Sequence, residues 1–145
     1  MKEAIGNSFL VTLSIVFLFL IMSLLVSSLA YSKAYKAKNK IVSVIEKYNG
    51  YDEEAEAEIN IDLFKMGYKT SNGNRNCKEH EDQALLHNTD AGTYDYCVYE
   101  IVSDRGKYYH VVTYMHFDLP VLEQYITLEV KGDSRTIYDS ERLVG

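Results

Sequence analysis

Hydrophobic and polar positions follow three patterns along the chain, and each predicts a different element. From Phe9 to Ala30 the run FLVTLSIVFLFLIMSLLVSSLA holds 22 residues without a charge, a proline or a glycine. About 20 apolar residues, rising 1.5 Å each, cross a hydrocarbon core roughly 30 Å thick. The run therefore reads as a transmembrane helix over residues 9–30, with residues 1–8 as a short tail. Its hydroxyls, Thr12, Ser14, Ser23, Ser27 and Ser28, can bond back to the preceding turn and suit a face that meets another helix. A cleaved secretory signal has a shorter apolar core and a small-residue cleavage site. Here Leu29-Ala30-Tyr31 leads straight into more helix-forming sequence. A buried core helix would need protein on every side, more than the remaining 115 residues supply.

The second pattern has helical period. From Ser32 the chain runs without proline or glycine to Asn49-Gly50, a C-terminal stop. Ala30, Ala34, Ala37, Ile41, Val44, Ile45 and Tyr48 recur at steps of mostly three and four and form one apolar stripe, with the lysines mostly off it. One helix is expected from about Ala4 to Tyr48, roughly 65 Å long. Its amphipathic part, residues 31–48, carries the candidate packing residues Ala34, Ala37, Ile41, Val44 and Ile45. A lysine-rich amphipathic helix can instead lie on anionic headgroups, but a narrow, alanine-rich stripe favours packing against protein. Asp52 then caps a second helix with Glu53, Glu54 and Glu56 at its positive end, Ile59, Leu63 and Met66 on one face, and Gly67 as its stop.

The third pattern alternates. Residues 70–93 are polar and predict a long connection with a short helix at Asp82–Leu86. From Tyr94, YDYCVYEIV and then YYHVVTYMHF flank Ser103–Lys107, which predicts a β-hairpin with Tyr109, Val111, Thr113, Met115 and Phe117 on one face. After Asp118-Leu119-Pro120, ITLEVKG places Ile126, Leu128 and Val130 on one face, and Arg135–Tyr138 offers a terminal strand. The predicted class is α+β: a long N-terminal helix covering one face of a small antiparallel sheet of at least three strands.

Charge divides the chain. Residues 1–50 carry +4 and residues 51–145 carry −10, for a total of −6. An acidic domain repels phosphates and has no basic stripe interleaved with aromatics, so nucleic acid is excluded as a partner. Lys33, Lys36, Lys38 and Lys40 follow the span and, by the positive-inside rule, would keep the domain in the cytoplasm. Against that, Cys77 and Cys97 lack metal or redox spacing and close a polar loop, which suggests a disulfide and an oxidising exterior; two unrelated buried thiols are the alternative.

Candidate chemistry is sparse. Glu79, His80, Glu81, Asp82, His87 and Asp90 lie close in sequence but match no zinc or calcium spacing, so no metal site is expected. There is no phosphate loop or nucleophile motif, and neither a cofactor nor an enzymatic activity is expected. His110 and His116 share a strand face roughly 20 Å apart, too far for one ligand pair, and are expected half-exposed. The 13 tyrosines point to partly wet strand faces or contact surfaces.

With these elements in order, LAYSKAYKAKNKIVSVIEKY after the span resembles the Tad-type minor pilins of the TadE family. The closing segment YYHVVTYMHFDLPVLEQYITLEVKGDSRTIY resembles their strand, proline-containing link and final strand. The resemblance implies a pilin-like fold, a cytoplasmic amino terminus and a domain outside the cell. It also implies the lipid bilayer, other pilin-like subunits and membrane platform proteins as partners. Gly6-Asn7 is the position matching a processing point; Val11 stands where such precursors place a glutamate, and the span holds no acidic residue. The expected function is a structural or accessory subunit of a type IV or Tad-like surface pilus or secretion apparatus. The alternative is a single-pass anchored binding or sensor module.

Overall fold

The computed structural model describes residues 2–90, 92–117 and 126–138. An unbroken helix-forming sequence yields an unbroken helix: α1 runs Lys2–Tyr48, 47 residues, or about 70 Å. It begins two residues before the expected start at Ala4 and takes in the residues ahead of the apolar run. It ends where Asn49 takes a left-handed backbone (φ 55°) and the Gly50 amide returns to the Ile45 carbonyl at 3.0 Å. The second helix, α2 (Glu53–Lys65), starts as its sequence dictates: the Asp52 carboxylate accepts the Ala55 amide at 2.8 Å. Gly67, at φ 61°, lets the chain leave, and the Tyr68 amide closes back on the Leu63 carbonyl at 2.9 Å.

Four antiparallel strands follow, β1 (Ala84–His87), β2 (Tyr96–Ser103), β3 (Gly106–Phe117) and β4 (Ile126–Asp133), paired in the order β1-β2-β3-β4. β1 corrects the helix expected at Asp82–Leu86. Ala84 and Leu85 pair with Glu100 and Tyr99, so an open sheet edge overrides the local helix propensity of Gln-Ala-Leu-Leu. Among the described residues, the expected terminal strand Arg135–Tyr138 contributes a bridge, Lys107 to Ile137. That bridge crosses so close to Gly106 (φ 141°) that a Cβ there would collide with the Ile137 carbonyl. The link Asp118-Leu119-Pro120 lies outside the described residues.

The helix-facing side of the sheet carries Tyr109, Val111, Thr113 and Met115 from β3, all buried. Ala37, Ile41, Val44 and Ile45 of α1 pack there with Ala55, Ile59 and Leu63 of α2 and Tyr96 and Val98 of β2. Small residues on α1 let its backbone come close, and the buried Thr113 hydroxyl donates to the Ala34 carbonyl at 3.0 Å. Val130 is buried beside Ala34 and Met115, whereas Leu128 on the same strand face is 51% exposed.

The opposite face is also covered, where one covered face was expected. Cys97 and Tyr99 of β2 and Val112 and Tyr114 of β3 pack against Cys77 and Leu85 from the polar connection. Five tyrosines (Tyr68, Tyr96, Tyr99, Tyr109 and Tyr114) are buried. The wet strand faces inferred from tyrosine content are, at these positions, core with a polar handle.

Candidate functional site

Four places in the molecule gather functional chemistry: the long helix, the disulfide-bounded loop and two histidine clusters. In α1 the side chains from Phe9 to Val26 are exposed, and the most apolar 18-residue stretch of the helix has a mean hydropathy of 2.9. This is one helix long and apolar enough to cross a membrane, near the amino terminus. Thr12 and Ser14 donate to the Ser8 and Leu10 carbonyls at 3.0 and 2.9 Å, which satisfies both hydroxyls within the helix. Gly6 and Asn7 lie on its exposed first turns. One turn beyond Ala30 the same helix becomes core: Ala34, Ala37, Ile41, Val44 and Ile45 are each at most 2% exposed.

Lysines on the flank of that stripe face α2. Lys40 pairs with Asp62 at 3.3 Å, and Lys47 with Glu58 at 2.6 Å, where the Tyr48 hydroxyl donates at 2.8 Å. Glu58 and Asp62 of α2 therefore serve the helix pair, while Glu53, Glu54 and Glu56 in its first turn suit the helix dipole. The hydrogen bond from Lys47 is the leading reason that the Glu58 carboxyl titrates below its usual range.

Cys77 and Cys97 form a disulfide, with Cα atoms 5.9 Å apart and a sequence separation of 20. The bridge fastens the polar connection to β2. Nearby, Arg75 reaches across to Asp95 at 3.0 Å and to the Thr127 hydroxyl at 3.0 Å while stacking over the Tyr114 ring at 4.4 Å. His116 Nε2 lies 2.9 Å from the same Asp95 carboxylate. Arg75, Asp95, His116 and Thr127 line a polar cleft of about 410 Å³ with Ser71, Asn72 and Asn74. Burial raises the Tyr114 hydroxyl to about 12, so it stays protonated beneath the guanidinium.

A second cluster joins β1 to the helices. His87 stacks on Tyr96, ring centroids 4.0 Å apart, and its Nδ1 meets the Tyr51 hydroxyl at 3.0 Å and Glu56 at 3.5 Å. Burial lowers the His87 pKa, and the nearby Glu56 carboxylate opposes that shift only in part. Burial likewise holds the hydroxyls of Tyr51 and Tyr96 protonated, well above the usual tyrosine value.

The acidic and histidine residues at 79–90 do not converge. Among the described residues no three His, Cys, Asp or Glu side chains are placed to hold one metal ion. His80 packs edge-on to Tyr99, and His87 is committed to its own cluster. His110 and His116 point to the same sheet face but to different carboxylates, Asp133 and Asp95. Sequence reasoning missed the Arg75–Asp95–His116 cluster, whose members stand about 20 residues apart with no periodic relation. No family model, curated protein or solved structure matches the chain.

Proposed function

We propose that the protein is a membrane-anchored structural subunit, a minor-pilin-like component of a type IV or Tad-like surface pilus or secretion apparatus. Its amino terminus lies in the cytoplasm and its α+β domain outside the cell. The observation that carries this reading is the continuity of α1. The apolar span and the helix that builds the domain core are one rod, with neither glycine nor proline from Asn7 to Asn49. A sensor held only by an anchor needs no such rigidity, whereas a subunit that packs through its span must transmit that packing to its domain. The Cys77–Cys97 bridge suits an oxidising exterior. Lys40, one of the four lysines after the span, has a partner within the domain, Asp62, which removes one charge from the positive-inside argument for the reverse topology. The role is one of assembly with other pilin-like subunits, platform proteins and the bilayer, without catalysis or nucleic acid.

The polar cleft at Arg75, Asp95 and His116 favours a second reading, an anchored binding module. Replacing residues 9–30 with an unrelated spanning helix separates the two. A pilin-like subunit loses co-purification with other membrane subunits on the swap. Unchanged partner recovery refutes that reading and leaves the binding module.

A further inference from the structure

We propose that the end of the sheet nearest the span rests in the interfacial layer of the bilayer, with Leu128 as its apolar contact; this rests on the anchor reading above. The height of the domain is set by α1 and β3, which run side by side in opposite directions. Val44 and Ile45 of α1 share one cluster with Tyr109 and Val111 of β3, whereas Ala34 shares another with Met115 and Val130, with Ala30 against it. The Thr113 hydroxyl on the Ala34 carbonyl, at 3.0 Å, ties the two elements at one level. Four strand residues beyond Thr113, Phe117 lies roughly 13 Å further toward the span, a distance that covers about nine helical residues. The ends of β3 and β4, paired at Phe117 and Ile126, therefore come level with Leu25 and Val26, inside the charge-free run. The same overlap shows as a groove: Val26 and Leu29 of the run line it together with Tyr114 and His116 of β3. No stalk separates the domain from the bilayer.

The depth of this overlap fits the polar layer of a membrane. From Val26 to Ala30 the helix rises about 6 Å, and the headgroup region is roughly 5–7 Å thick on each side of the hydrocarbon. Leu128 stands at this level. It pairs with Met115 and faces the helix side of the sheet as Val130 does, yet it is 51% exposed where Val130 is 8% exposed. At the same level α1 presents the exposed Leu29 and Tyr31, whose ring stacks on Tyr35. Tyrosine is enriched at this depth of a membrane. Lipid is the occupant because the patch continues the exposed apolar surface that runs from Phe9 to Val26. At the far end of the sheet Val102 is as exposed as these residues and pairs with Lys107. Lys107 stands eight residues from Met115 along β3, so Val102 lies roughly 27 Å farther from the membrane.

The chain has no tryptophan, so each of Tyr31→Trp, Leu128→Trp and Val102→Trp carries a single reporter. The full-length variants are placed in phosphatidylcholine vesicles, with and without bromine on the acyl chains just below the headgroup. Circular dichroism checks that each variant keeps the fold. Brominated lipid should remove most of the emission of Tyr31→Trp and Leu128→Trp and leave that of Val102→Trp unchanged. Quenching of Tyr31→Trp without Leu128→Trp overturns the contact while the anchor stands. Quenching of neither refutes the anchor itself, and equal quenching of all three overturns the upright domain. A Leu128→Trp emission that shifts to the blue with protein density, unquenched by the lipid, would put a second copy of the chain on the patch and overturn it too. On the unsubstituted chain in the same vesicles, hydroxyl-radical labelling should spare Leu128 and mark Val102; equal labelling of the two overturns the contact.

Discussion

Truncating Ile41 to alanine isolates the contribution of the helix stripe to the domain. Ile41 is fully buried between the sheet and α2. The substitution removes three carbon groups worth about 0.8 kcal/mol each in transfer, and the cavity left behind raises the expected loss to about 3–4 kcal/mol. Ile41→Val, which removes one, should cost about 1 kcal/mol. Ile61 is the matched control: it is on α2 with 54% of its surface exposed, so the same truncation there should cost less than about 1 kcal/mol. Thermal unfolding of the full chain in detergent micelles, followed by tyrosine near-UV circular dichroism, reads these differences. For a domain of this size the Ile41→Ala loss corresponds to a fall in Tm of roughly 12–30 °C. Equal losses for Ile41→Ala and Ile61→Ala would mean that α1 does not build the core, and the argument from a continuous rod would fail with it.

Two further outcomes follow from the loop and the buried histidine. Protein acid-trapped from cells without reductant should present no reactive thiol, and Cys77→Ser with Cys97→Ser should lower stability by about 3 kcal/mol, the value for a loop of this length. Two reactive thiols in trapped protein would instead place the domain in a reducing compartment and refute the domain-out topology. His87 is held neutral by burial, with a folded pKa below its ordinary 6.5. The unfolded chain therefore binds the proton first, so stability is full above about pH 6.5 and is lost as pH falls below it, levelling off beneath the folded value. In His87→Phe, which keeps the stack on Tyr96, Tm should fall less steeply over that window; an unchanged slope would show that His87 does not titrate with folding.

Local patterns alone determined the span, the continuing stripe and both helix ends, because each rests on periodicity or on a residue whose backbone preference acts within one turn. The apolar run at 9–30, the three-and-four spacing to Ile45, Asp52 as a cap and Gly67 as a stop all belong to that class. The alternation of β3 likewise assigned Tyr109, Val111, Thr113 and Met115 to one face. Tertiary structure alone decided the fate of residues 70–93. Their polar composition describes a solvated loop, yet a disulfide and an edge strand fold them over the second sheet face and bury Cys77 and His87. It also decided which lysines pair with α2, and it gathered Arg75, Asp95 and His116 onto one cleft. Such contacts join residues distant in sequence, and no local preference or period encodes them; they exist only once the sheet register and the helix packing have set the distances.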